Sequence, residues 1–298
     1  MTRDLVILGN INVDLIVGPL GEWPQRGTEV LVEELQWRVG GNAGNAAVAC
    51  AALGTDHAVI STVGNDLAGE WLRRQLPAGP LTWISHPGPT SVTVAVSHPD
   101  GERTFLTQLG HLADLRWEVL RPHLPGSHFV LLAGAFLTPE LRRQYPELLT
   151  HFERAGTQVA LDMGWPDGGY TPQLRREVLS WLPRTQHLLI NDLEALALAD
   201  ETEVRRAADA LAAHLPPEGT LVVKCGASGV VLHHRGRVTV HAAPAVQVSD
   251  TVGAGDIWNA AYLHALSRQQ GTEAAAGFAV QVASLAVSTQ PRRYLTPQ

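Results

Sequence analysis

Val248-Ser249-Asp250-Thr251-Val252-Gly253-Ala254-Gly255-Asp256 runs straight into Ile257-Trp258-Asn259-Ala260-Ala261-Tyr262-Leu263. Turn-prone residues lead into an apolar segment with helical spacing. The stretch reads as a glycine-rich helix N-terminus closed by a carboxylate. Small residues let main-chain N–H groups converge on one point, and the helix dipole adds partial positive charge there. Such a corner can hold a phosphoryl group. Asp256 then sits where a proton is accepted as a hydroxyl attacks that group. Taken alone, the same residues also read as a strand-to-helix turn capped by Asp, so the rest of the chain has to decide.

From the corner outward, the chain alternates strand and helix. Leu5 to Leu8 is a continuous apolar run, as a buried parallel strand requires. In Gly9-Asn10-Ile11-Asn12-Val13-Asp14, the side chains of Asn12 and Asp14 share one face. Residues 29–39 read as a further strand. Gly40-Gly41-Asn42-Ala43-Gly44-Asn45 opens an almost wholly apolar helix that ends at Leu53, with Gly54 as its C-cap. Ala58 to Val63 is a strand, and Asp66 caps a helix through Leu76. The alternation predicts an α/β fold with a parallel sheet.

An interruption follows. Ser91 to Ser97 alternates strictly, Pro99-Asp100-Gly101 is a turn, and Arg103 to Thr107 is extended. This hairpin is expected to pair with the 12–17 and 29–39 strands as a small second sheet. The alternation then resumes, with strands at 129–132, 158–161, 188–190 and 221–224. Helices are expected at about 138–155, 173–182, 192–199, 203–214, 254–268 and 272–288. Residues 229–234 and 237–241 form an antiparallel pair around Arg235-Gly236.

The totals exclude several classes. The chain has 298 residues, 45% of them hydrophobic, and a formal charge of −7 without a dense Lys/Arg run. That argues against nucleic acid as a main partner, though not against a phosphorylated small molecule. The apolar stretches are short, so no membrane span is expected, and the N-terminus lacks a signal-peptide pattern. Cys50 and Cys225 are the two cysteines and suggest neither a disulfide framework nor a metal site. A cytoplasmic location is the expectation. The thirteen histidines are scattered, and His233-His234 reads as solvated. There is no Gly-x-x-x-x-Gly-Lys-Ser/Thr, no dinucleotide fingerprint, no Gly-x-Ser-x-Gly and no His-Glu-x-x-His.

Four polar groups fall at strand ends or in adjoining loops: Asn12 with Asp14, Gly40 to Asn45, Asn191-Asp192-Leu193-Glu194, and Asp250 to Asp256. Ligands of open α/β sheets bind at the carboxyl ends of strands. Each group has a structural alternative; Asn191 and Glu194, for example, could form only a capping box. Together, in this order, the four resemble the ribokinase-like (PfkB) carbohydrate kinase family. The resemblance covers almost the whole chain.

That resemblance implies a three-layer α/β/α sandwich spanning 1–298 as a single kinase domain, with a β-lid formed by about 12–39 and 90–108. It implies an ATP-dependent kinase acting with Mg²⁺. Asp256 corresponds to the catalytic base, with amides of Gly253, Ala254 and Gly255 as the anion hole. Asn12, Asp14, Gly41 and Asn45 would hold sugar hydroxyls. Asn191 and Glu194 would orient Mg²⁺ through water and the ATP phosphates. Lys224, Gly226, Gly229 and Thr251 would lie against the nucleotide. Arg103 falls in the second lid segment, where an exposed hairpin arginine is the alternative. A helix N-terminus should hold Asp256 below the ordinary Asp value of about 3.9, so that it accepts its proton late.

Three departures bear on the resemblance. Many members carry a Gly-Ala…Pro segment near the C-terminus that helps enclose the nucleotide and, in some, a monovalent cation. Here the segment is Ser288-Thr-Gln-Pro-Arg-Arg-Tyr-Leu-Thr-Pro297, which argues against activation by K⁺. Asp162-Met163-Gly164-Trp165 stands where the fructokinase and ketodeoxygluconate-kinase branches often show Asp-x-Asn-x-Arg, which argues against those acceptors. Ile257-Trp258 replaces the commoner Thr-Phe. The leading expectation is a sugar kinase acting on a hydroxymethyl group. The alternatives are a nucleoside kinase, with Trp37, Trp165 or Phe136 as a base shelf, and a non-catalytic sugar sensor. Exposed lid strands can pair across copies, so a homodimer through the lid is an expectation.

Overall fold

The apolar runs assemble into one large sheet. The computed structural model describes residues 2–76, 81–99 and 103–294. Its strands are β1 (Arg3–Gly9), β2 (Asn12–Gly18), β3 (Glu34–Gly40), β4 (His57–Gly64), β5 (Leu81–His86), β6 (Val92–Ser97), β7 (Arg103–Gln108), β8 (Ser127–Ala133), β9 (Gln158–Asp162), β10 (His187–Asn191), β11 (Thr220–Lys224), β12 (Val230–His234) and β13 (Arg237–His241). The helices are α1 (Asn42–Leu53), α2 (Leu67–Gln75), α3 (Trp117–Leu120), α4 (Pro139–Arg143), α5 (Tyr145–Ala155), α6 (Pro172–Trp181), α7 (Asp192–Ala199), α8 (Val204–Ala212), α9 (Ala254–Ser267) and α10 (Thr272–Val287). The order in the large sheet is β13-β12-β11-β10-β9-β8-β1-β4-β5, parallel from β11 to β5 and antiparallel at β12 and β13.

Helices cover both faces, which is why β1, β8, β9, β10 and β11 each carry a continuous apolar run. Along β1 the side chains alternate: Leu5 and Ile7 enter the core under α1, α9 and α10, whereas Val6 and Leu8 enter the core under α5, α6 and α8. In α9, Asp256 through Ala265 are all buried. A helix buried all round sits inside the molecule, so its N-terminus is fixed by packing. Trp258 stacks on Tyr262 with ring centroids 5.0 Å apart, so the Ile257-Trp258 departure is absorbed as core.

The small sheet has the expected composition. It runs β3-β2-β6-β7, with β2 and β6 parallel and the outer pairs antiparallel. Two expectations need correction, and one strand is added. The 29–39 strand begins at Glu34, because its partner β2 ends at Gly18, opposite Glu34, and Pro19 follows without an N–H. The helix expected at 138–155 breaks at Gln144, where Pro146 cannot donate to the preceding turn. The edge strand β5 was not foreseen. Its residues are mostly half-buried and show neither a continuous apolar run nor a clean alternation. Asp100 and Gly101, in the expected hairpin turn, lie outside the described residues, as do residues 295–298.

Candidate active site

Three neighbouring parallel strands end in polar residues: Asp162 on β9, Asn191 on β10 and Lys224 on β11. The N-termini of α1 and α9 meet near these ends. Gly253 stands at the N-cap of α9 with φ 70, and a Cβ there would lie 2.8 Å from the Asn45 side chain. Only glycine fits both the backbone angle and that close approach. The Ala254 amide closes a turn on the Thr251 carbonyl at 3.1 Å. This corrects one expectation: Ala254 does not offer its N–H to an anion. Among the described residues, the amides of Gly253, Gly255 and Asp256 have no such acceptor.

Asp256 is 6% exposed. Asn42 Nδ2 donates to one carboxylate oxygen and Asn45 Nδ2 to the other, each at 2.9 Å. Both amides lie on the first turn of α1, three residues apart, and so share one face. Burial pushes Asp256 up to about 7, and nearby Asp162 adds to the rise; Asn45, Lys224 and Asn42 oppose it. The direction reverses the expectation drawn from the helix dipole. Loss of water around the carboxylate outweighs the partial charge of the helix end. A carboxyl in this environment exchanges its proton near neutral pH.

A second carboxylate, Asp162, stands near the first. Asp162 Oδ2 accepts from Lys224 Nζ at 2.8 Å and from Asn259 Nδ2 at 2.6 Å. Lys224 also donates to Asn259 Oδ1 at 3.1 Å. The lysine thus stands beside the corner; a Cβ on Gly255 would lie 3.4 Å from its Nζ. Asn191 and Glu194 form the capping box, with the Glu194 N–H donating to Asn191 Oδ1 at 2.8 Å and the Asn191 N–H donating to Glu194 Oε2 at 2.9 Å. The structural alternative for this pair is therefore realised, and it leaves Asn191 Nδ2 and Glu194 Oε1 for other contacts. Burial, then the Asp162 charge, raises Glu194 to about 7.

A cavity of about 740 Å³ opens on one side of the corner, lined by Asp14, Trp37, Arg38, Asn45, Trp71 and Arg292 among others. Asn12 donates to Asp14 at 2.6 Å and to Thr93 at 3.2 Å. Burial raises Asp14 to about 6, against the Asn12 hydrogen bond and the Arg38 charge. Gly40 and Gly41 let the chain pass over these groups: added Cβ atoms would lie 2.1 Å from Asp14 and 2.3 Å from the Asn10 carbonyl. Of the three candidate shelf aromatics, only Trp37 lines this cavity, edge-on to Trp71 at 5.6 Å. Phe136 and Trp165 both pack against Tyr170 instead. On the other side of the corner, Lys224, Gly226, Gly229, Ala254, Gly255 and Trp258 border a cleft of about 110 Å³. Thr251 borders neither cavity and accepts from Arg103 at 3.3 Å.

Sequence reading missed several members of this site. Asp162 and Asn259 carry no motif, although a lone carboxylate ending a buried strand was a signal, and Asn42 lay inside the Gly40 to Asn45 group without being given a role. Asp250 was read only as part of the corner. It binds Arg38 of β3, Arg103 of β7 at 2.9 Å and Arg292 at 2.8 Å. β3 and β7 are the two edges of the small sheet, so both edges are tied to the loop before α9. Burial alone would raise Asp250, but the Val252 amide, Arg292 and Arg38 outweigh it and hold the carboxyl below its ordinary range. Arg103 is accordingly engaged, with 17% of its side chain exposed, and not a free hairpin arginine.

The pattern described as pfkB family carbohydrate kinase matches residues 2–297. Ribokinase from Haemophilus influenzae is 23% identical over 301 residues, covering 97% of this chain and 93% of the relative. The ribokinase of Arabidopsis thaliana in complex with ribose and ATP aligns with TM-score 0.79 at 24% identity, over 97% and 94% of the two chains. The adenosine kinase of Sinorhizobium meliloti aligns with TM-score 0.85 at 21% identity, over 99% and 97%. No helix among the described residues is long and apolar enough to cross a membrane.

Proposed function

The chain belongs to the pfkB family of carbohydrate kinases, and we propose that it transfers the γ-phosphoryl group of ATP to a hydroxymethyl group of a ribose- or hexose-like sugar, with Asp256 as the base. One observation carries the reading. Asp256 is gripped at both oxygens by Asn42 and Asn45; Asn45 itself lines the larger cavity, and Gly255, the residue before Asp256, lines the smaller. The larger suits a polyol, with Asp14 at its wall and Asn12 holding Asp14 in place. The smaller suits part of a nucleotide laid against Gly226, Gly229 and Gly255.

In this reading the acceptor hydroxyl lies against Asp256. The carboxylate takes its proton as the oxygen–phosphorus bond forms and the bond to ADP breaks. The open amides of Gly253 and Gly255 face the charge that develops on the transferred group, an arrangement fixed before the reaction begins. Asn42 and Asn45 keep the carboxylate aimed. The small sheet acts as the lid, and its ties to Asp250 hold it over the acceptor while water is excluded. Among the described residues no three His, Cys, Asp or Glu side chains cluster to hold a metal. The free oxygen of Glu194 suits a hydrated Mg²⁺ that arrives with ATP. When bound, that ion would neutralise phosphate charge.

Turnover tests the reading: ribose, fructose, adenosine and pseudouridine are assayed by coupled ADP detection, beside thermal shifts with an ATP analogue. ADP formation with a sugar is expected. A second reading, a nucleoside kinase, is favoured by Trp37 and Trp71 at the cavity wall, a surface on which a base could lie. Stabilisation and turnover by a nucleoside with none by any sugar would establish that reading. No ADP with any polyol or nucleoside would point to a non-catalytic sensor.

A further inference from the structure

Arg292 follows α10 on the segment that returns to the corner, and its side chain is 20% exposed. A single nitrogen, Nη2, meets three oxygens. It lies 2.8 Å from Asp250 Oδ2, 2.5 Å from the Val252 carbonyl and 3.4 Å from the Asp250 carbonyl. Two hydrogens cannot point straight at three acceptors, so this nitrogen acts largely as a centre of positive charge. One carboxylate and two carbonyls form an all-oxygen set of the kind that holds hard cations. Arg38 and Arg103 also reach Asp250, but only Arg292 touches main-chain carbonyls of this loop.

The contact has a direct consequence for the corner. The carbonyl of Val252 and the N–H of Gly253 belong to one planar peptide unit and point in opposite directions. A cation that fixes the carbonyl fixes the amide as well. Arg292 therefore turns the Gly253 amide away from itself, toward the N-terminus of α9. Asp250 reinforces this from its other oxygen, which accepts from the Val252 N–H at 3.0 Å.

We propose that Arg292 is a positioning residue for phosphoryl transfer, a cation built into the chain that holds the 250–253 loop and makes the enzyme independent of any added monovalent cation. A free ion does not fit beside it, because the guanidinium already occupies the meeting point of the three oxygens. The proposal rests on the reading of the corner as the phosphoryl site.

The test compares the wild type, Arg292→Ala and Arg292→Lys in KCl and in tetramethylammonium chloride of equal ionic strength. The wild type is expected to turn over equally in both salts, and its thermal unfolding to show no K⁺-specific rise. Arg292→Ala should lose about 10- to 100-fold in kcat in tetramethylammonium, with KM for the acceptor little changed, as expected when a reacting group is misplaced by a fraction of an ångström. K⁺ or guanidinium ion should restore about tenfold or more of that loss. The same variant, without substrates, should unfold at a higher temperature in KCl than in tetramethylammonium. Arg292→Lys, which keeps one charged nitrogen, should retain most of the turnover. A wild type that requires K⁺ would overturn the proposal. So would an Ala variant with unchanged kcat, or a loss that neither ion restores and Lys does not lessen. If Arg292→Ala fails to fold, the Lys variant and the wild-type salt comparison decide. If no acceptor yields ADP, the kinase reading has failed, and the unfolding comparison still reads the cation.

Discussion

Replacing Asp256 by Asn should separate activity from stability in opposite directions. The variant keeps the size of the side chain and its contact with one amide of α1. It removes the proposed base, so kcat should fall by roughly 10²–10⁴ with little change in acceptor affinity. The stability effect follows from burial. Asp256 titrates near 3.8 when unfolded and near 7 in place. Between these values the folded chain holds a proton that the unfolded chain has lost, so wild-type stability falls as pH rises. The penalty is largely absent below about pH 4 and complete above about pH 7. From pH 5 to pH 8 it amounts to about 2–3 kcal/mol, at about 1.36 kcal/mol per pKa unit. An asparagine carries none of it. The variant's new NH₂ group faces Asn42 or Asn45, as one O–H of the protonated wild type does at lower pH, but the variant does not titrate here, so this contact adds no pH dependence of its own. The difference in Tm between variant and wild type should therefore shift in the variant's favour by roughly 5 °C from pH 5 to pH 8. Thermal unfolding at both pH values and coupled ADP release are the measurements. A pH-independent Tm difference would refute the buried, elevated carboxyl, and an unchanged kcat would refute its role as base.

Other perturbations test the surroundings. Lys224→Met removes the cation that lowers Asp256 and Glu194, so the acid limb of the kcat/KM profile should move to higher pH; an unmoved limb would show that Lys224 does not act on the carboxylates. Gly41→Ala places a Cβ 2.3 Å from the Asn10 carbonyl at φ 80; it should destabilise by about 2 kcal/mol or more in urea unfolding and lower kcat by displacing Asn42 and Asn45. Trp37→Ala should leave sugar turnover within about threefold yet raise a nucleoside KM by about tenfold, so equal effects on both acceptors would remove the base-shelf reading.

The legibility of the site differed residue by residue. Gly253 was readable because a backbone need, positive φ and close approach, forces glycine into the chain, and Gly255 and Asp256 because they follow it in one short motif. Asn12 and Asp14 were readable because strand periodicity puts both on one face. Asp162 and Asn259 were not, since a single polar residue at the end of a strand or inside a helix has no local signature. Arg292 was seen only as a departure from a pattern. Its partners lie about forty residues earlier in the chain, and nothing local foretold the contact.

The sequence by itself determined the α/β alternation, the small second sheet and the glycine-rich corner, because periodicity and turn chemistry act over a few residues. It also pointed to the family, through four short motifs in order. Only the tertiary structure decided the electrostatics. The sign of the Asp256 shift depends on how completely the packing around it excludes water, with the Asp162 charge adding to the rise. The helix dipole, which the local sequence predicts, is real but short-ranged and modest, while desolvation depends on everything packed around the group. The corner's chemistry is local, but its tuning comes from residues distant in the chain.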